Sequence, residues 1–432
     1  MKYFSLSHNS EPVDFRQATI AGQAPDGGLY FPEKIPALDP AWLEQLSTFS
    51  TEEIAFQVIR PYTGDTIPEA ALRRIVAETV NFPIPLVPVN DHIFSLELFH
   101  GPTLAFKDIG ARFMSRCLGY FAKGNGRKVT VLVATSGDTG GAVASGFYGV
   151  DGVNVVILYP SGKVSPVQEK QLTTFGGNIR ALEVQGNFDD CQRMVKQAFR
   201  DEQLREKLFL TSANSINVAR WLPQQFYYFF ALQQWKEKQA PVIAVPSGNF
   251  GNICAGILAW KSGLPVTHFI AACNENDVVP RYLLSGEYRA QQAVPTLSNA
   301  MDVGDPSNFP RILQIFGQDY EALTAMLSGH TTSDEQTKKT IGDVYRQFNY
   351  LPDPHGAVGY DALQHWLALH PGQKGIFLET AHPIKFPDAV EPVTGETIPL
   401  PSSLGGIMQK AKEATLIDAR YEELFAFLAA GS

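Results

Sequence analysis

The chain has 432 residues, of which 44% are hydrophobic and 18% are charged, and its formal net charge at pH 7 is −9. A chain of this length exceeds the size of a single hydrophobic core, so we expect two or three domains. The negative charge and the absence of any Lys/Arg-rich run argue against a nucleic-acid partner or an anionic membrane surface. This composition is equally compatible with a monomer and with an oligomer.

Cysteine use and the N-terminal residues indicate the compartment. The four cysteines are scattered in apolar surroundings without a CxxC pair, so a disulfide framework or a zinc site is not expected. The first residues lack the apolar core of a signal peptide, and no stretch approaches the length that spans a membrane. We therefore expect a soluble protein of the reducing cytoplasm that holds no metal.

The predicted elements change in kind after residue 92. Residues 1–92 contain Pro/Gly breaks and two helical patterns, near 39–60 and 67–80, and predict a small N-terminal helical region. Apolar strands then alternate with loops and helices, at 129–134, 153–159, 179–184, 241–245, 267–272 and 375–379. Such alternation indicates an α/β protein with parallel sheets. The polar, helical stretch 285–350 contains no motif that we can interpret.

This pattern predicts three regions. Residues 1–92 form the N-terminal region, and residues 128–207 form a small α/β domain. A large α/β domain is expected from residues 93–127 and 208–432, and it is the part expected to hold the cofactor inferred below.

Lys107 is the first candidate catalytic residue. It precedes a helix that is predicted from the apolar spacing of Ile109 and the residues after it, with Gly124 and Gly126 as the stop. A helix N-terminus disfavours a positive charge, so the amine should lose its proton more easily than an exposed lysine does. A neutral amine can capture an aldehyde as a Schiff base. The alternative is a structural lysine paired with Asp108 or with solvent.

Two glycine-rich turns that each join a strand to a helix follow along the chain. The first contains Ser136, Gly137, Asp138 and Thr139, and its backbone and hydroxyl donors suit a carboxylate or a phosphate. The second contains Gly248, Asn249, Phe250, Gly251 and Asn252, which offer neutral donors that suit a terminal monophosphate. The alternatives are a flexible turn for the first loop and asparagine helix caps for the second.

These three motifs point to one ligand. A lysine that forms a Schiff base, a carboxylate site and a phosphate site on one α/β scaffold imply an aldehyde that carries a phosphate, which is pyridoxal 5′-phosphate. None of the residues in these motifs requires a metal ion.

The motifs resemble those of the threonine synthase family, pyridoxal-phosphate enzymes of fold type II, the tryptophan-synthase-β structural type. Residues 102–108 are similar to the family's cofactor-lysine motif, and residues 248–252 resemble its phosphate loop. Residues 214–220, 353–359 and 378–383 resemble three further family segments. The resemblance covers most of the chain and implies two parallel-sheet α/β domains with an N-terminal helical extension.

The resemblance also implies roles for individual residues. Lys107 would form the Schiff base, and the Thr380 hydroxyl would meet the pyridine nitrogen. Many members carry Asn where this chain has Asp138, the position next to the cofactor O3′; the Asp and the N-terminal extension indicate the longer subgroup. Ser136, Gly137 and Thr139 would receive the substrate carboxylate, and Asn214, Ser215 and Arg220 its phosphate. His355 and His382 remain without a role.

The implied reaction converts O-phospho-L-homoserine and water into L-threonine and phosphate by γ-elimination and β-addition. A serine/threonine dehydratase of the same cofactor class would share Lys107 and both loops, but it needs no second phosphate site. An inactive phosphometabolite-binding protein is the alternative from a different class.

Overall fold

The computed structural model describes residues 1–123 and 128–430. The helices are α1 (Phe15–Ala21), α2 (Pro40–Glu44), α3 (Thr51–Thr63), α4 (Glu69–Thr79), α5 (Lys107–Ala122), α6 (Asp138–Phe147), α7 (Pro166–Thr173), α8 (Phe188–Arg200), α9 (Glu202–Lys207), α10 (Val218–Trp221), α11 (Gln225–Gln234), α12 (Gly251–Lys261), α13 (Val278–Ser285), α14 (Phe309–Ile315), α15 (Tyr320–Met326), α16 (Asp334–Phe348), α17 (Pro354–Leu369), α18 (Pro387–Thr394), α19 (Gly405–Met408) and α20 (Tyr421–Ala430). The strands are β1 (Lys2–Ser5), β2 (Val13–Asp14), β3 (Tyr30–Pro32), β4 (Leu86–Pro88), β5 (Ile93–Glu97), β6 (Val129–Ala134), β7 (Val153–Pro160), β8 (Ile179–Gln185), β9 (Phe209–Thr211), β10 (Val242–Pro246), β11 (His268–Cys273), β12 (Leu327–Thr331), β13 (Gly375–Glu379) and β14 (Thr415–Asp418).

The N-terminal region contains an antiparallel sheet, in the order β2-β1-β3, as well as helices α1 to α4. The sequence pattern does not predict this sheet, because such short strands show no clear alternation. The helical pattern near 39–60 is divided into α2 and α3. Ser50 begins α3, because its side chain accepts a hydrogen bond from the Glu53 N–H at 3.2 Å.

The larger sheet has the strand order β12-β11-β10-β13-β5-β4. Its neighbouring strands are parallel except for β4, which lies antiparallel on β5 at the edge. Every residue of β10 and β13 is buried, which is typical of strands covered on both faces. The stretch 285–350 supplies edge strand β12, whose polar sequence Leu-Ser-Gly-His-Thr does not predict a strand.

The smaller sheet has the order β14-β8-β7-β6-β9, with all of its strands parallel. Strands β9 and β14 come from the stretch after residue 207, and Leu424 and Leu428 of α20 pack into the same core as Leu132 and Leu182. We therefore propose that residues 128–211 and 415–430 form the small domain and that residues 93–123 and 212–414 form the large one.

The predicted α/β architecture with parallel sheets is confirmed. The six strands expected after residue 92 correspond to β6, β7, β8, β10, β11 and β13, with bounds that agree within one residue. Helix α5 begins at Lys107 as expected, and its predicted stop at Gly124 and Gly126 lies outside the described residues. None of the described helices combines the length and the apolar character that crossing a membrane requires.

The order β10-β13-β5 places the candidate residues together. These strands are parallel, so their carboxyl ends lie side by side at one edge of the larger sheet. The segments that follow them carry residues 248–252, Thr380 and Lys107 respectively. Ligands of α/β proteins bind at this kind of edge.

Candidate active site

The segment before Lys107 is held against the end of β13. The Phe106 N–H donates to the Thr380 carbonyl at 2.9 Å, and the His382 N–H donates to the Leu104 carbonyl at 3.0 Å. These backbone hydrogen bonds bring Lys107, the first residue of α5, next to Thr380. Two residues that are far apart in sequence therefore meet, as the sequence analysis expects.

Asp108 is not the partner of Lys107. Its Oδ2 accepts the Thr103 N–H at 2.9 Å, and its Oδ1 accepts the Thr103 hydroxyl at 2.7 Å. Asp108 thus stabilises the turn before α5, in which Leu104 adopts a left-handed φ of 56°. The structural alternative for Lys107, a pair with Asp108, is wrong.

The Lys107 amine has a lowered pKa. Burial is the main cause, and the positive charges of Lys385 and Arg220 lower the pKa further, while the negative charge of Asp138 opposes them. The Lys107 side chain as a whole is half-buried, so that part of it remains accessible. An amine of this kind is deprotonated more readily than an exposed lysine, which favours nucleophilic and base chemistry.

The loop after β6 is organised by Thr135, which the sequence analysis does not single out. Its Oγ1 accepts the N–H groups of Gly137 at 3.0 Å and of Gly140 at 2.9 Å. Gly137 has a φ of 140°, and a Cβ there would lie 2.5 Å from the Gln168 side chain. Glycine is therefore required at this position for both its conformation and its size.

Asp138 is buried and pairs with a residue that sequence reasoning misses. Its Oδ1 accepts from Nζ of Lys385 at 2.8 Å and from Nε2 of Gln168 at 3.0 Å. Burial opposes the ionisation of Asp138, but the charges of Lys385 and Lys107 hold its pKa below the ordinary value. Ser136 and Thr139, on either side, are half-buried and border the same loop.

The loop after β10 forms the second expected anion site. Phe250 adopts a left-handed φ of 60° before α12, and no side chain caps this helix, so the predicted alternative of asparagine caps is wrong. A Cβ at Gly248 would lie 2.6 Å from the Cα of Met301. Asn252 accepts from the Tyr228 hydroxyl, while its buried Nδ2 has no partner among the described residues. This donor and the first N–H groups of α12 suit a phosphate.

The second loop contacts the segment expected to hold a substrate phosphate. Nδ2 of Asn249 donates to Oγ of Ser215 at 3.0 Å, and Asn214 lies beside them, half-buried. Asn308, from the stretch without a recognisable motif, donates to Oγ of Ser215 at 3.2 Å and to the Asn249 carbonyl at 3.0 Å. The Ser215 oxygen accepts two hydrogen bonds here, and its own O–H is left to donate.

Arg311 stabilises the segment that contains Ser215 through hydrogen bonds to backbone carbonyls. Its guanidinium is fully buried and donates to the carbonyls of Tyr30 at 2.9 Å and Ile216 at 2.7 Å. It also donates to Oδ1 of Asn308 at 2.8 Å and lies 4.3 Å from the ring centroid of Trp221. The stretch 285–350 thus supports the candidate site and ties it to the N-terminal sheet.

Arg220 packs against α5 and has a donor without a partner. A Cβ at Gly110, one turn into α5, would lie 2.7 Å from the Arg220 carbonyl and 3.1 Å from its Nε. Nη1 of Arg220 donates to the Ala213 carbonyl at 2.5 Å, and its buried Nε has no partner in the part of the chain that the structure describes. Burial lowers the pKa of Arg220 to about 10, against the opposing influence of Tyr227 and Asp108. A buried guanidinium with an unused donor suits an anion.

The buried carboxyl groups of Glu379 and Asp353 lie next to Thr380. The Asp353 N–H donates to Oε1 of Glu379 at 2.5 Å, while Oε2 of Glu379 and Oδ2 of Asp353 have no partner among described residues. Burial, and then the charge of Asp353, raises the pKa of Glu379 well above its ordinary value. A proton on Glu379 satisfies both orphaned oxygens, so we infer that Glu379 is neutral.

The two histidines without a predicted role both have structural partners. Nε2 of His355 accepts the Ala300 N–H at 3.2 Å, so Nδ1 carries the proton toward Asp353, at 2.5 Å. Nδ1 of His382 accepts the Ile384 N–H at 3.1 Å. Burial lowers the pKa of His382 to about 4, so this ring is neutral near pH 7.

The neutral state of Glu379 predicts a mild effect for Glu379→Gln. The amide can accept the Asp353 N–H and donate to Oδ2, so the free energy of unfolding should change by less than about 1 kcal/mol. Because the pKa of Glu379 is higher in the folded state, its contribution to the free energy of unfolding of the wild type is complete below the ordinary glutamate pKa. That contribution is lost as pH rises toward the pKa of the folded state. In urea unfolding, the free energy of unfolding of the variant should therefore gain on that of the wild type as pH rises above the ordinary glutamate pKa.

Glu335→Gln, at an exposed position of α16, is the matched control and should show no such trend. A loss of more than about 3 kcal/mol by Glu379→Gln at every pH would instead show that the fold needs an ionised Glu379.

Known protein families and proteins match nearly the whole length of the chain. A family model described as "Pyridoxal-phosphate dependent enzyme" matches residues 80–377, and models described as "Threonine synthase N terminus" and "Threonine synthase, C-terminal" match residues 2–80 and 356–428. The threonine synthase of Serratia marcescens is 44% identical over 431 residues, which is 99% of each chain.

Solved structures agree with this. The crystal structure of threonine synthase from Escherichia coli is 42% identical with a TM-score of 0.93, and all of both chains is covered. The structure of pyridoxal-phosphate-bound threonine synthase from Brucella melitensis is 37% identical with a TM-score of 0.93, covering 100% of this chain and 99% of that one.

Proposed function

The chain belongs to the threonine synthase family, and we propose that it converts O-phospho-L-homoserine and water into L-threonine and phosphate with pyridoxal 5′-phosphate as its cofactor. The observation that carries the proposal is two buried donors without a partner among the described residues, Nδ2 of Asn252 in the loop after β10 and Nε of Arg220 against α5, together with the influence of the Arg220 charge on the pKa of the Lys107 amine. A phosphorylated cofactor and a phosphorylated substrate together need two anion sites.

The residues present fit the cofactor. Its phosphate matches Gly248, Asn249, Phe250, Gly251 and Asn252, where the glycine backbone and the orphaned Asn252 amide leave room and a donor. Lys107 would hold the aldehyde carbon, Thr380 the ring nitrogen, and Asp138 would lie near the phenolic oxygen. When bound, the cofactor withdraws electrons from the substrate carbons beside the amine and so makes their protons removable.

The substrate would be held at both of its ends. The N–H of Gly137 is taken by Thr135, so the hydroxyls of Ser136 and Thr139 are the donors best placed for the carboxylate. The phosphate would meet the guanidinium of Arg220, the free O–H of Ser215 and the Asn214 amide. Two-ended binding orients Cα and Cβ toward a single base.

Lys107 would move the protons. Its lowered pKa makes the neutral amine available as the base that removes a proton from Cα and returns protons during water addition. The buried surroundings, which include Asp108 and Arg220, limit the access of bulk water to the amine. The water that adds to Cβ would therefore enter as a reactant rather than as solvent.

A direct assay tests the function. The purified chain, loaded with pyridoxal phosphate, should release threonine and inorganic phosphate in equal amounts from phosphohomoserine. Better use of unphosphorylated threonine or serine would identify a dehydratase. Cofactor binding without turnover of any of these compounds would identify a binding protein.

The Thr380 hydroxyl predicts a moderate contribution to cofactor affinity. Loss of one ordinary hydrogen bond in Thr380→Val should weaken cofactor binding by about 0.5–1.5 kcal/mol, or about twofold to tenfold in Kd. Titration of the apo chain with pyridoxal phosphate measures this. Thr79→Val removes another buried threonine hydroxyl, in α4, and is the matched control. An unchanged Kd in Thr380→Val would remove Thr380 from the site.

We also propose a cytoplasmic location. Cys117, Cys191, Cys254 and Cys273 are all free and buried, as expected of cysteines in a reducing compartment.

A further inference from the structure

Lys385 is a second buried lysine at the candidate site. It ends the short helical turn after β13, and its side chain is 0% exposed. Among the described residues, its Nζ makes a hydrogen bond and ion pair with Oδ1 of Asp138, at 2.8 Å, and no other. An ammonium group has three N–H donors, so two of them are without a partner. Leaving such donors unused in a buried place is costly, which indicates that a ligand supplies an acceptor.

The neighbouring groups do not supply that acceptor. Both carboxylate oxygens of Asp108 already accept from Thr103. Nδ1 of His382 accepts the Ile384 N–H. The His382 N–H donates to the Leu104 carbonyl, which holds the turn that carries Lys385 against the segment before Lys107, and the charge of Lys385 also lowers the pKa of the Lys107 amine. The missing acceptor therefore belongs to whatever Lys107 binds.

The chemistry of Asp138 points to the same place. An ionised carboxylate only accepts hydrogen bonds, so it cannot donate to a phenolate oxygen and repels it. In pyridoxal phosphate, the phenolic oxygen is attached to the ring carbon adjacent to the one that carries the aldehyde. Capture of the aldehyde by the Lys107 amine would thus bring this oxygen close to Asp138 and Lys385. The ion pair is neutral as a whole, and only Lys385 has donors to offer.

We propose that Lys385 is a cofactor-binding residue whose ammonium donates a hydrogen bond to the phenolic oxygen of pyridoxal phosphate, and that Asp138 is the positioning residue that holds this ammonium. The proposal rests on the proposed function only in requiring that the chain binds this cofactor. It explains why an aspartate is tolerated beside a phenolate, because Lys385, 247 residues further along the chain, supplies both the charge and the donor.

The test compares two ligands. Pyridoxal phosphate and its 3-deoxy analogue differ only in the phenolic oxygen, and the affinity of the full-length apo chain for each is measured by titration. The wild type should bind pyridoxal phosphate more tightly than the analogue. Lys385→Met should weaken the binding of pyridoxal phosphate by about tenfold to a hundredfold and leave the affinity for the analogue nearly unchanged. The preference of the wild type should therefore disappear.

Two further variants make the result decisive. Lys412→Met removes a lysine that pairs with Glu169 and Glu183 outside the site, and it should keep the wild-type preference. If Lys385→Met does not fold, the double variant Asp138→Leu/Lys385→Met removes both buried charges together, which proteins often tolerate. It should also show no preference between the ligands.

Equal weakening of both ligands would show that Lys385 is only structural and would overturn the proposal. An unchanged preference would do the same, and a rise in KM for phosphohomoserine alongside it would assign Lys385 to the substrate carboxylate. Failure of the proposed function is a separate result, because a chain that releases no threonine and phosphate from phosphohomoserine can still bind both ligands, and the comparison of the two ligands then tests Lys385 all the same.

Discussion

Replacing Lys107 by alanine should reduce turnover of phosphohomoserine by at least about a thousandfold, because a positioned proton-transfer group alone contributes about 10²- to 10⁴-fold and Lys107 also holds the cofactor. The loop at 248–252 is unchanged in this variant, so the apo chain should still bind pyridoxal phosphate. Borohydride reduction of the wild type should attach the cofactor to the peptide that contains Lys107. The same treatment should leave the variant unlabelled.

Two results would contradict this assignment. Labelling of Lys385 instead of Lys107 in the wild type would show that the other buried lysine of the site holds the cofactor. Turnover within about tenfold of the wild type would show that the amine is not the base. Lys339→Ala removes an exposed lysine that faces Asp343 on α16 and serves as the control for loss of a lysine in general.

The parts of the fold that could be predicted are those whose signal is local. Strands such as β6 and β13 are buried on both faces, so each appears in the sequence as a continuous apolar run between polar or glycine-rich turns. Helix α5 is amphipathic from Ile109 onward and begins at a recognisable turn. Such segments carry enough information in a few residues to define their type and nearly their bounds.

The strands that could not be predicted depend on partners that are distant in the sequence. Strand β12 contains Ser, Gly, His and Thr, and it is a strand because β11 offers an edge on which it can pair. Strand β14 pairs with β8 across more than two hundred residues, which is why the C-terminal stretch joins the smaller sheet. Pattern alone contains no signal for pairing of this kind.

The residues of the candidate site also fall into those that have a local sequence signal and those that depend on distant partners. The places of Lys107 and of the loop at 248–252 in the fold could be predicted, because a lone lysine at a helix start and a glycine-rich turn after a strand are local features, while their roles stay predictions. Lys385, Asn308 and Arg311 could not, since their partners Asp138, Ser215 and Tyr30 become neighbours only in the folded chain. Lys385 did leave one signal, a single charge between the apolar residues Ile384 and Phe386.

Arg220→Ala should separate the synthase from a dehydratase. The phosphate of phosphohomoserine carries close to two negative charges, and we propose the loop at 248–252 for the cofactor's own phosphate. Each hydrogen bond to a charged group is worth about 1.5–3 kcal/mol, so kcat/KM for phosphohomoserine should fall by about tenfold to a hundredfold. If Arg220 binds the substrate and not the cofactor, the visible absorbance of the bound cofactor should stay unchanged.

Two further variants distinguish a phosphate-binding role of Arg220 from a general effect of losing an arginine. Arg220→Lys should recover only part of the loss, since lysine supplies the charge without the planar pair of donors that fits a phosphate. Arg193→Ala, which removes an exposed arginine paired with Asp190, should keep the wild-type kcat/KM. Full activity of Arg220→Ala on phosphohomoserine would contradict the phosphate role of this residue. A lowered kcat/KM that came with a lost cofactor spectrum would show that Arg220 supports the fold beside Gly110 and α5 instead of binding the substrate.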